Sequence, residues 1–352
     1  MNSRTDWKWL LLLWAVLFSS ALSSSAYASD TTSALGSRQM ASVAPESSQS
    51  SAQSSALSDA SSQRGILPGA PWATFYGAAT DIDLTKLAAT FRMLDIDADP
   101  DQENFTPQQV ATLKNGGSNK VLSYFNIGSC EKSRNYWSEV PEGFVSCSAN
   151  VAAQRGNYDG YPNEVWMDPS NPDYQHLLLD YVAPRLVAQG VDGFYLDNME
   201  IVEHGTRTAN GPCNSACVRG ALDFVAKLRA KYPNLTIVMQ NATGDVTRLG
   251  RTSAGAYATL IDGVAHEEVY QPAHDLTAEG ELVLWSGMNL RPGGQPFWIG
   301  TVDYVGTCSN LADARADYAR SRARHFSPYA SNTSADQQTV CYWPLLGSEG
   351  GP

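Results

Sequence analysis

Residues 192–200 read DGFYLDNME, an apolar run that ends in a group of acids. Phe194, Tyr195 and Leu196 form the run, and Asp197 and Glu200 follow it at once. A short apolar run of this kind is typical of a buried β-strand. In a (β/α)8 barrel, the carboxyl ends of the strands build the active site. The stretch therefore predicts the fourth strand of such a barrel, over residues 191–196, with a catalytic rim directly after it.

The rest of the chain shows the same alternation of short apolar runs with helix-like segments. Eight runs are found, at residues 72–76, 91–96, 120–127, 193–197, 235–240, 261–267, 296–302 and 325–329. Three helices are predicted between them, beginning near Pro107, over residues 172–188 and over residues 217–232. Eight strands alternating with helices predict a single (β/α)8 barrel. The alternative is an open, doubly wound sheet, but no glycine-rich phosphate loop follows the first run.

The chain begins with segments that do not belong to the barrel. A basic start, an apolar run and the triplet Ala26-Tyr27-Ala28 predict a signal peptide over residues 1–28. The apolar run is shorter than the ~20 residues that span a bilayer, which favours cleavage over a stable membrane anchor. Residues 29–65 are rich in Ser and Ala and predict a flexible tether, which leaves 66–352 for the barrel. We expect a secreted or periplasmic protein.

Six cysteines all follow the predicted cleavage site. An even number in an exported protein indicates disulfides, and the spacing suggests the pairs 130–147, 213–217 and 308–341. The sequence alone does not fix this pairing. A zinc site is the alternative, and it is disfavoured because no histidine stands at ligand spacing beside these cysteines.

The whole chain has a net charge of −12, and removal of the signal peptide makes it one unit more negative. Nucleic acid needs clustered lysine and arginine, so it is a poor partner for this chain. A cationic polymer would be attracted instead.

Polar side chains follow strand after strand, which is the pattern expected of a catalytic rim. They are Asp95, Asp97, Asn126, Glu131, Arg134, Gln240, Asn241, His266, Glu267, Glu268, Asp303 and Tyr304. Two carboxylates that face one cleft can hydrolyse a glycosidic bond, one as acid and the other as nucleophile or base. Aromatic side chains could stack on sugar rings or serve only as core. They are Tyr76, Tyr124, Trp137, Trp166, Tyr270 and Tyr304.

Four segments resemble glycoside hydrolase family 114, whose characterised members are endo-α-1,4-polygalactosaminidases with a (β/α)8 fold. They are SYFNIGSCEKSRNYW (123–137), NEVWMDPSNPDYQHLLLDY (163–181), GVDGFYLDNME (190–200) and IDGVAHEEVY (261–270). The resemblance implies a catalytic pair of Asp197 and Glu267. Glu268 is the alternative second acid, but neighbouring strand residues point to opposite faces, so only one can face the cleft.

The resemblance also implies a set of substrate-binding positions. They are Tyr76, Asp95, Tyr124, Glu131, Arg134, Asp168, Asn198, Glu200, Glu268 and Tyr304. Glu131 and Arg134 could instead form an ion pair that only orders a loop, and Asp168 could only cap a helix. The insertion 205–217 could narrow the cleft.

The implied substrate is an α-1,4-linked, galactosamine-rich polysaccharide such as a biofilm exopolysaccharide, whose free amines are cationic. An acidic cleft would favour it. No cofactor or metal is implied, and the oligomeric state is open.

Three other functions stay open. A metal-dependent deacetylase would need histidine and acid ligands at regular spacing, and His266-Glu267 does not belong to an H-E-x-x-H motif. A carbohydrate-binding barrel without catalysis is the second. A glycosidase of different specificity is the third.

Overall fold

The structure is a computed structural model that describes residues 64–288, 290, 297–333 and 336–347. The predicted signal peptide and the predicted tether up to residue 63 lie outside the described residues.

The described residues contain thirteen strands and nine α-helical segments, labelled here in chain order. The strands are β1 (Trp72–Phe75), β2 (Met93–Ile96), β3 (Lys120–Asn126), β4 (Ser129–Glu131), β5 (Gln154–Tyr158), β6 (Tyr161–Met167), β7 (Gly193–Asp197), β8 (Thr236–Gln240), β9 (Arg251–Thr252), β10 (Gly255–Ala256), β11 (Gly263–Glu267), β12 (Trp298–Tyr304) and β13 (Ser327–Ser331). The helices are α1 (Leu84–Thr90), α2 (Pro107–Leu113), α3 (Pro172–His176), α4 (Ala183–Ala188), α5 (Ser215–Lys231), α6 (Asp245–Arg248), α7 (Leu276–Ser286), α8 (Leu311–Ala323) and α9 (Pro344–Gly347).

Eight of the strands form one parallel sheet in the order β1-β2-β3-β7-β8-β11-β12-β13. This order follows the chain without a reversal, so the sheet curls into a nearly closed barrel and the doubly wound alternative is wrong. At the seam, Trp72 Nε1 donates to the Ser327 carbonyl oxygen at 2.7 Å, which joins the first and last barrel strands. The predicted (β/α)8 fold and all eight predicted strands are confirmed.

The barrel interior is filled by large aromatic side chains around Trp72. The rings of Tyr195, Trp298 and Tyr329 lie 6.2, 5.3 and 6.0 Å from it, centre to centre. Side chains alternate between the two faces of a strand. Because Tyr195 points inward while Phe194 and Leu196 pack against the helices, the next inward position on β7 is Asp197.

The three predicted helices are present and begin at recognisable caps. Thr106 and Gln109 form a capping box before α2, which has Pro107 at its start. Asn171 caps α3 by accepting from the Tyr174 amide. The predicted helix over 172–188 is helical throughout. Its middle part, Leu177–Val182, is π-helical and lies between α3 and α4.

A three-stranded antiparallel sheet, in the order β4-β6-β5, leaves the barrel after β3 and was not predicted. Its strands β5 and β6 join at a hairpin through Asp159 and Gly160, and Gly160 has a φ of 87°. The disulfide Cys130–Cys147 links β4 to the loop that precedes β5.

The other two disulfides are Cys213–Cys217 and Cys308–Cys341. The structure thus confirms the pairing suggested by spacing. Within the described residues, no helix combines the length and apolar character that a bilayer crossing requires.

Candidate active site

A cavity of about 560 Å³ opens at the carboxyl ends of the barrel strands. Its lining includes carboxylates, hydroxyls and amides from seven of the barrel strands or the loops that follow them. Among the polar lining residues are Thr74, Tyr76, Asp97, Tyr124, Glu131, Arg134, Tyr158, Tyr161, Glu164, Asp197, Asn198, Glu200, Gln240, Asn241, Glu267 and Gln337. Six of the twelve polar strand-end residues named from the sequence line this one space: Asp97, Glu131, Arg134, Gln240, Asn241 and Glu267.

The two acids of the predicted catalytic pair both line this cavity. Asp197 ends β7, and Glu267 ends β11 two residues after Ala265, which packs in the barrel interior. Both acids therefore occupy inward positions of their strands. Glu268 is not among the lining residues: its φ is 55°, and its amide donates to the Val302 carbonyl at 2.9 Å. Of the two neighbouring acids, Glu267 therefore lines the cavity and Glu268 does not.

Glu267 is held by side chains on both of its oxygens. Asn241 Nδ2 donates to Oε2 at 2.9 Å, and Asn241 Oδ1 accepts from the Glu267 amide at 3.0 Å. The Tyr304 hydroxyl donates to Oε1, and Gln337 Nε2 in turn donates to that hydroxyl at 2.8 Å. These contacts fix the direction in which the carboxylate faces the cavity.

Asp197 lies close to two other acids, Glu200 and Glu267. Burial, followed by the charges of Glu200 and Glu267, raises the pKa of Asp197 well above its usual value. Burial likewise raises the pKa of Glu200 to about 7, although Tyr158 donates to its Oε1 at 3.3 Å. The surroundings therefore favour the protonated forms of Asp197 and Glu200.

The rim beside Asp197 is a close contact between two barrel strands. Asn198 adopts a left-handed conformation, with φ 59°, and its carbonyl lies against Gly128. A Cβ at position 128 would stand 1.8 Å from that oxygen, so only glycine fits there. Asn198 Nδ2 donates to Glu164 Oε2 at 3.1 Å, which connects the three-stranded sheet to the end of β7.

Asp95 lies behind the cavity and acts on it through Tyr76. Asp95 is fully buried, and burial raises its pKa well above the usual value. Its Oδ2 accepts from the Tyr76 hydroxyl at 2.5 Å, and the Tyr76 ring packs 4.9 Å from that of Tyr124. Both tyrosines line the cavity.

Arg134 is a buried cation among three acids. Its Nε donates to Glu131, its Nη1 donates to Asp97 at 2.9 Å, and Asp99 lies 3.6 Å away. Glu131, Asp97 and Arg134 all line the cavity, so the cluster belongs to the site and orders its loop at the same time. The acids outnumber the cation, and the net charge of the cluster is negative.

Asp168 lies apart from the cavity lining. It pairs with Arg155 and accepts from the Ser170 amide and hydroxyl at 2.8 and 2.6 Å. The helix cap that follows is Asn171. The contacts of Asp168 are therefore those of a turn before α3.

The hairpin of β5 and β6 brings to the cavity three residues that were not predicted from the sequence. Tyr158, Tyr161 and Glu164 line the cavity, and the Tyr161 side chain is 52 % exposed. Tyr158 stacks on Trp166 with ring centres 4.1 Å apart. The Asp159-Gly160 pair is a hairpin signal that could have found them.

The insertion 205–217 supports this hairpin and does not line the cavity. Asn210 Oδ1 accepts from Trp166 Nε1 at 2.6 Å and from the Asp159 amide at 3.0 Å. The insertion therefore acts on the cleft through the hairpin. In the part of the chain that the structure describes, no three histidine, cysteine or acidic side chains are arranged to hold a metal ion.

Comparisons with known proteins give the family of the chain and agree with its fold. The sequence profile of glycoside-hydrolase family GH114 matches residues 52–342. The fold is similar to that of the glycoside hydrolase domain of PelA from Pseudomonas aeruginosa, with a TM-score of 0.55, 20% identity, and coverage of 77% of this chain and 98% of that chain. It is also similar to Aspergillus fumigatus Ega3 in complex with galactosamine, with a TM-score of 0.55, 18% identity, and coverage of 79% and 95%. No curated protein sequence matches this chain.

Proposed function

Because this chain belongs to glycoside-hydrolase family GH114, we propose that it is an exported, endo-acting hydrolase of an α-1,4-linked, galactosamine-rich exopolysaccharide. The observation that carries the proposal is the convergence of Asp197 and Glu267, from the fourth and sixth barrel strands, on one cavity.

The chemistry requires one carboxyl that protonates the leaving oxygen and one that attacks the sugar or activates water. Asp197 and Glu267 form this pair. Burial, followed by the charges of Glu200 and Glu267, raises the pKa of Asp197, which supports a site that holds a proton for the reaction. Asn241 and Tyr304 hold Glu267 in place while the proton moves.

The charge of the cavity supports a cationic amino sugar as substrate. Its lining includes Asp97, Glu131, Glu164, Asp197, Glu200 and Glu267. The cation Arg134 is already engaged by Asp97 and Glu131. Ammonium groups on a partly deacetylated polymer would lower the cost of holding these acids together. The related structure of Ega3 was solved with galactosamine.

Export is supported by residues 1–28 and by the cysteines. A basic start, an apolar run and an A-x-A site form a signal peptide pattern. All six cysteines form disulfides, which persist in oxidising compartments.

The test is product analysis by mass spectrometry on polymers of defined composition. We expect the protein to shorten partly deacetylated galactosaminogalactan to a ladder of oligomers, and to act more slowly as salt is raised. The fully acetylated polymer and an α-1,4-linked glucan serve as matched neutral substrates. Equal rates on neutral and cationic galactosamine polymers at all salt concentrations would contradict the role of charge. Cleavage of the glucan alone would show a different specificity.

The catalytic pair is tested on the same polymer. Asp197→Asn and Glu267→Gln are each expected to lower kcat by about 10³-fold, because each removes a group that transfers a proton or attacks the sugar. Glu268→Gln is the control for Glu267 and is expected to stay within a few-fold of wild type. Full activity of Asp197→Asn would refute the proposed pair, and a wild type that binds the polymer without cleaving it would indicate a carbohydrate-binding barrel.

A further inference from the structure

We propose that Gln337, on the segment that follows the last barrel strand, is a positioning residue for catalysis. It fixes the Tyr304 hydroxyl so that its proton points at Glu267. This inference rests on the proposed function, because it treats Glu267 as a catalytic acid.

The contacts form a chain of three side chains. Gln337 Nε2 donates to the Tyr304 hydroxyl at 2.8 Å, and that hydroxyl donates to Glu267 Oε1. Gln337 is 4 % exposed and Tyr304 is 7 % exposed, so both side chains are buried at the edge of the cavity. Asn241 holds the other oxygen of Glu267.

The direction of the chain follows from what each group can donate. A tyrosine hydroxyl has one proton, and an amide nitrogen can only donate. Because Gln337 supplies the bond that the hydroxyl accepts, the single proton of Tyr304 is directed to Glu267. Burial and the Glu267 charge raise the pKa of Tyr304, so the hydroxyl stays protonated. Ser331 Oγ lies 3.5 Å from Gln337 Oε1, which places the oxygen of the amide on the side away from Tyr304.

The backbone holds Gln337 at this point on the barrel seam. Its carbonyl accepts from the Tyr76 amide at 2.8 Å, directly beyond the first barrel strand. The disulfide Cys308–Cys341 joins the chain four residues after Tyr304 to the chain four residues after Gln337. The two partners in the hydrogen bond are therefore tied together covalently through their own segments.

A substitution that changes the hydrogen-bonding groups of Gln337 and keeps its shape separates the positioning role from a purely structural one. A purely structural role predicts that such a substitution leaves kcat unchanged. Gln337→Glu keeps the shape of the side chain but presents an acceptor to Tyr304. The Tyr304 proton would then turn to position 337 and leave Glu267 with one donor fewer. A hydrogen bond to a charged group is worth enough to change a rate by about tenfold or more.

The first measurement is the steady-state kinetics of polymer cleavage. Gln337→Glu is expected to lower kcat about tenfold with KM within twofold, and Gln337→Ala to lower it less. Thr339→Glu adds the same charge to an exposed position two residues away and is expected to keep the kcat of wild type. In a Tyr304→Phe background, Gln337→Glu should lower kcat almost no further, because both substitutions act through the Tyr304 hydroxyl. Wild-type kcat in Gln337→Glu, or a full tenfold loss in the Tyr304→Phe background, would overturn the inference.

The second measurement does not depend on turnover and so separates this inference from the proposed function. With carboxyl-¹³C glutamate, the NMR signal of Glu267 is assigned by its loss in Glu267→Gln. It is expected to shift in both Gln337→Glu and Tyr304→Phe and to stay in place in Thr339→Glu. An unchanged signal in Gln337→Glu would overturn the inference even in an active enzyme, and a shifted signal would support it even if the polymer were not cleaved.

Discussion

At the scale of single residues, the site depends on acids whose charges oppose one another. Asp197, Glu200 and Glu267 line one cavity. Burial raises the cost of ionising Asp197 and Glu200, because a carboxylate loses its hydration, and the charge of Glu267 raises it further. Asp197 and Glu200 therefore lower the stability of the folded protein at neutral pH.

Glu200 makes this cost measurable. Its pKa is raised to about 7, so the folded protein retains a proton that the unfolded chain has already released. The stability contributed by the neutral form is complete below the unfolded pKa of about 4.5 and is lost as pH rises towards about 7. We expect Glu200→Gln to raise the melting temperature relative to wild type at pH 8 more than at pH 4.5. The measurement is thermal unfolding across this range.

Glu142→Gln is the control, since Glu142 is exposed and does not line the cavity. An advantage of Glu200→Gln that is the same at both pH values would contradict the prediction.

At the scale of elements, how much could be predicted depended on burial. The eight barrel strands are buried on both faces and read as short apolar runs, so their number and order were predictable. Strand β5 has the sequence QRGNY and no fully buried residue, so it carries no such signal. The inward direction of Tyr195 and Asp197 could be predicted from the sequence of β7, because side chains alternate along a strand. The contacts of Gln337 could not be predicted, because its segment is irregular and has no repeating pattern of side-chain direction.

The hairpin between β5 and β6 is the element best placed to bind sugar beyond the cleaved linkage. Its Tyr161 ring is half exposed at the cavity edge and packs 4.8 Å from Tyr158. We expect Tyr161→Ala to raise KM for long polymers about tenfold, because an aromatic face on a sugar ring contributes on the order of 1 kcal/mol or more. Tyr161→Phe keeps the ring and should keep KM. The measurement is the KM and kcat of each variant on polymers of graded length.

A rise in KM that is the same for Tyr161→Phe and Tyr161→Ala would assign the effect to the hydroxyl instead of the ring. A fall in kcat without a change in KM would place Tyr161 in the chemistry and contradict a binding role.

At the scale of the whole molecule, the last segment is held to the barrel by the disulfide with the longest loop. Cys308–Cys341 has a sequence separation of 33, against 4 for Cys213–Cys217. Loop-closure entropy gives about 3–4 kcal/mol for the longer loop and about 2 kcal/mol for the shorter one. We expect replacement of both Cys308 and Cys341 by alanine to lower the free energy of unfolding and kcat together, because the segment also carries Gln337.

The matched variant replaces Cys213 and Cys217 by alanine and should cost less stability. Urea unfolding and kcat at a temperature where each variant is folded are the measurements. A Cys308/Cys341 variant that loses stability but keeps kcat would show that the segment does not need its clamp for catalysis.

The contact of Gly128 with the Asn198 carbonyl limits how this enzyme can vary. Since a Cβ at position 128 would lie 1.8 Å from that oxygen, a saturation library at this codon should return glycine alone among active clones. Gly280, around which no heavy atom lies within 4 Å of an added Cβ, should accept many side chains in the same selection. Mutational drift can therefore alter position 280 on α7, while the junction between β3 and β7 stays invariant.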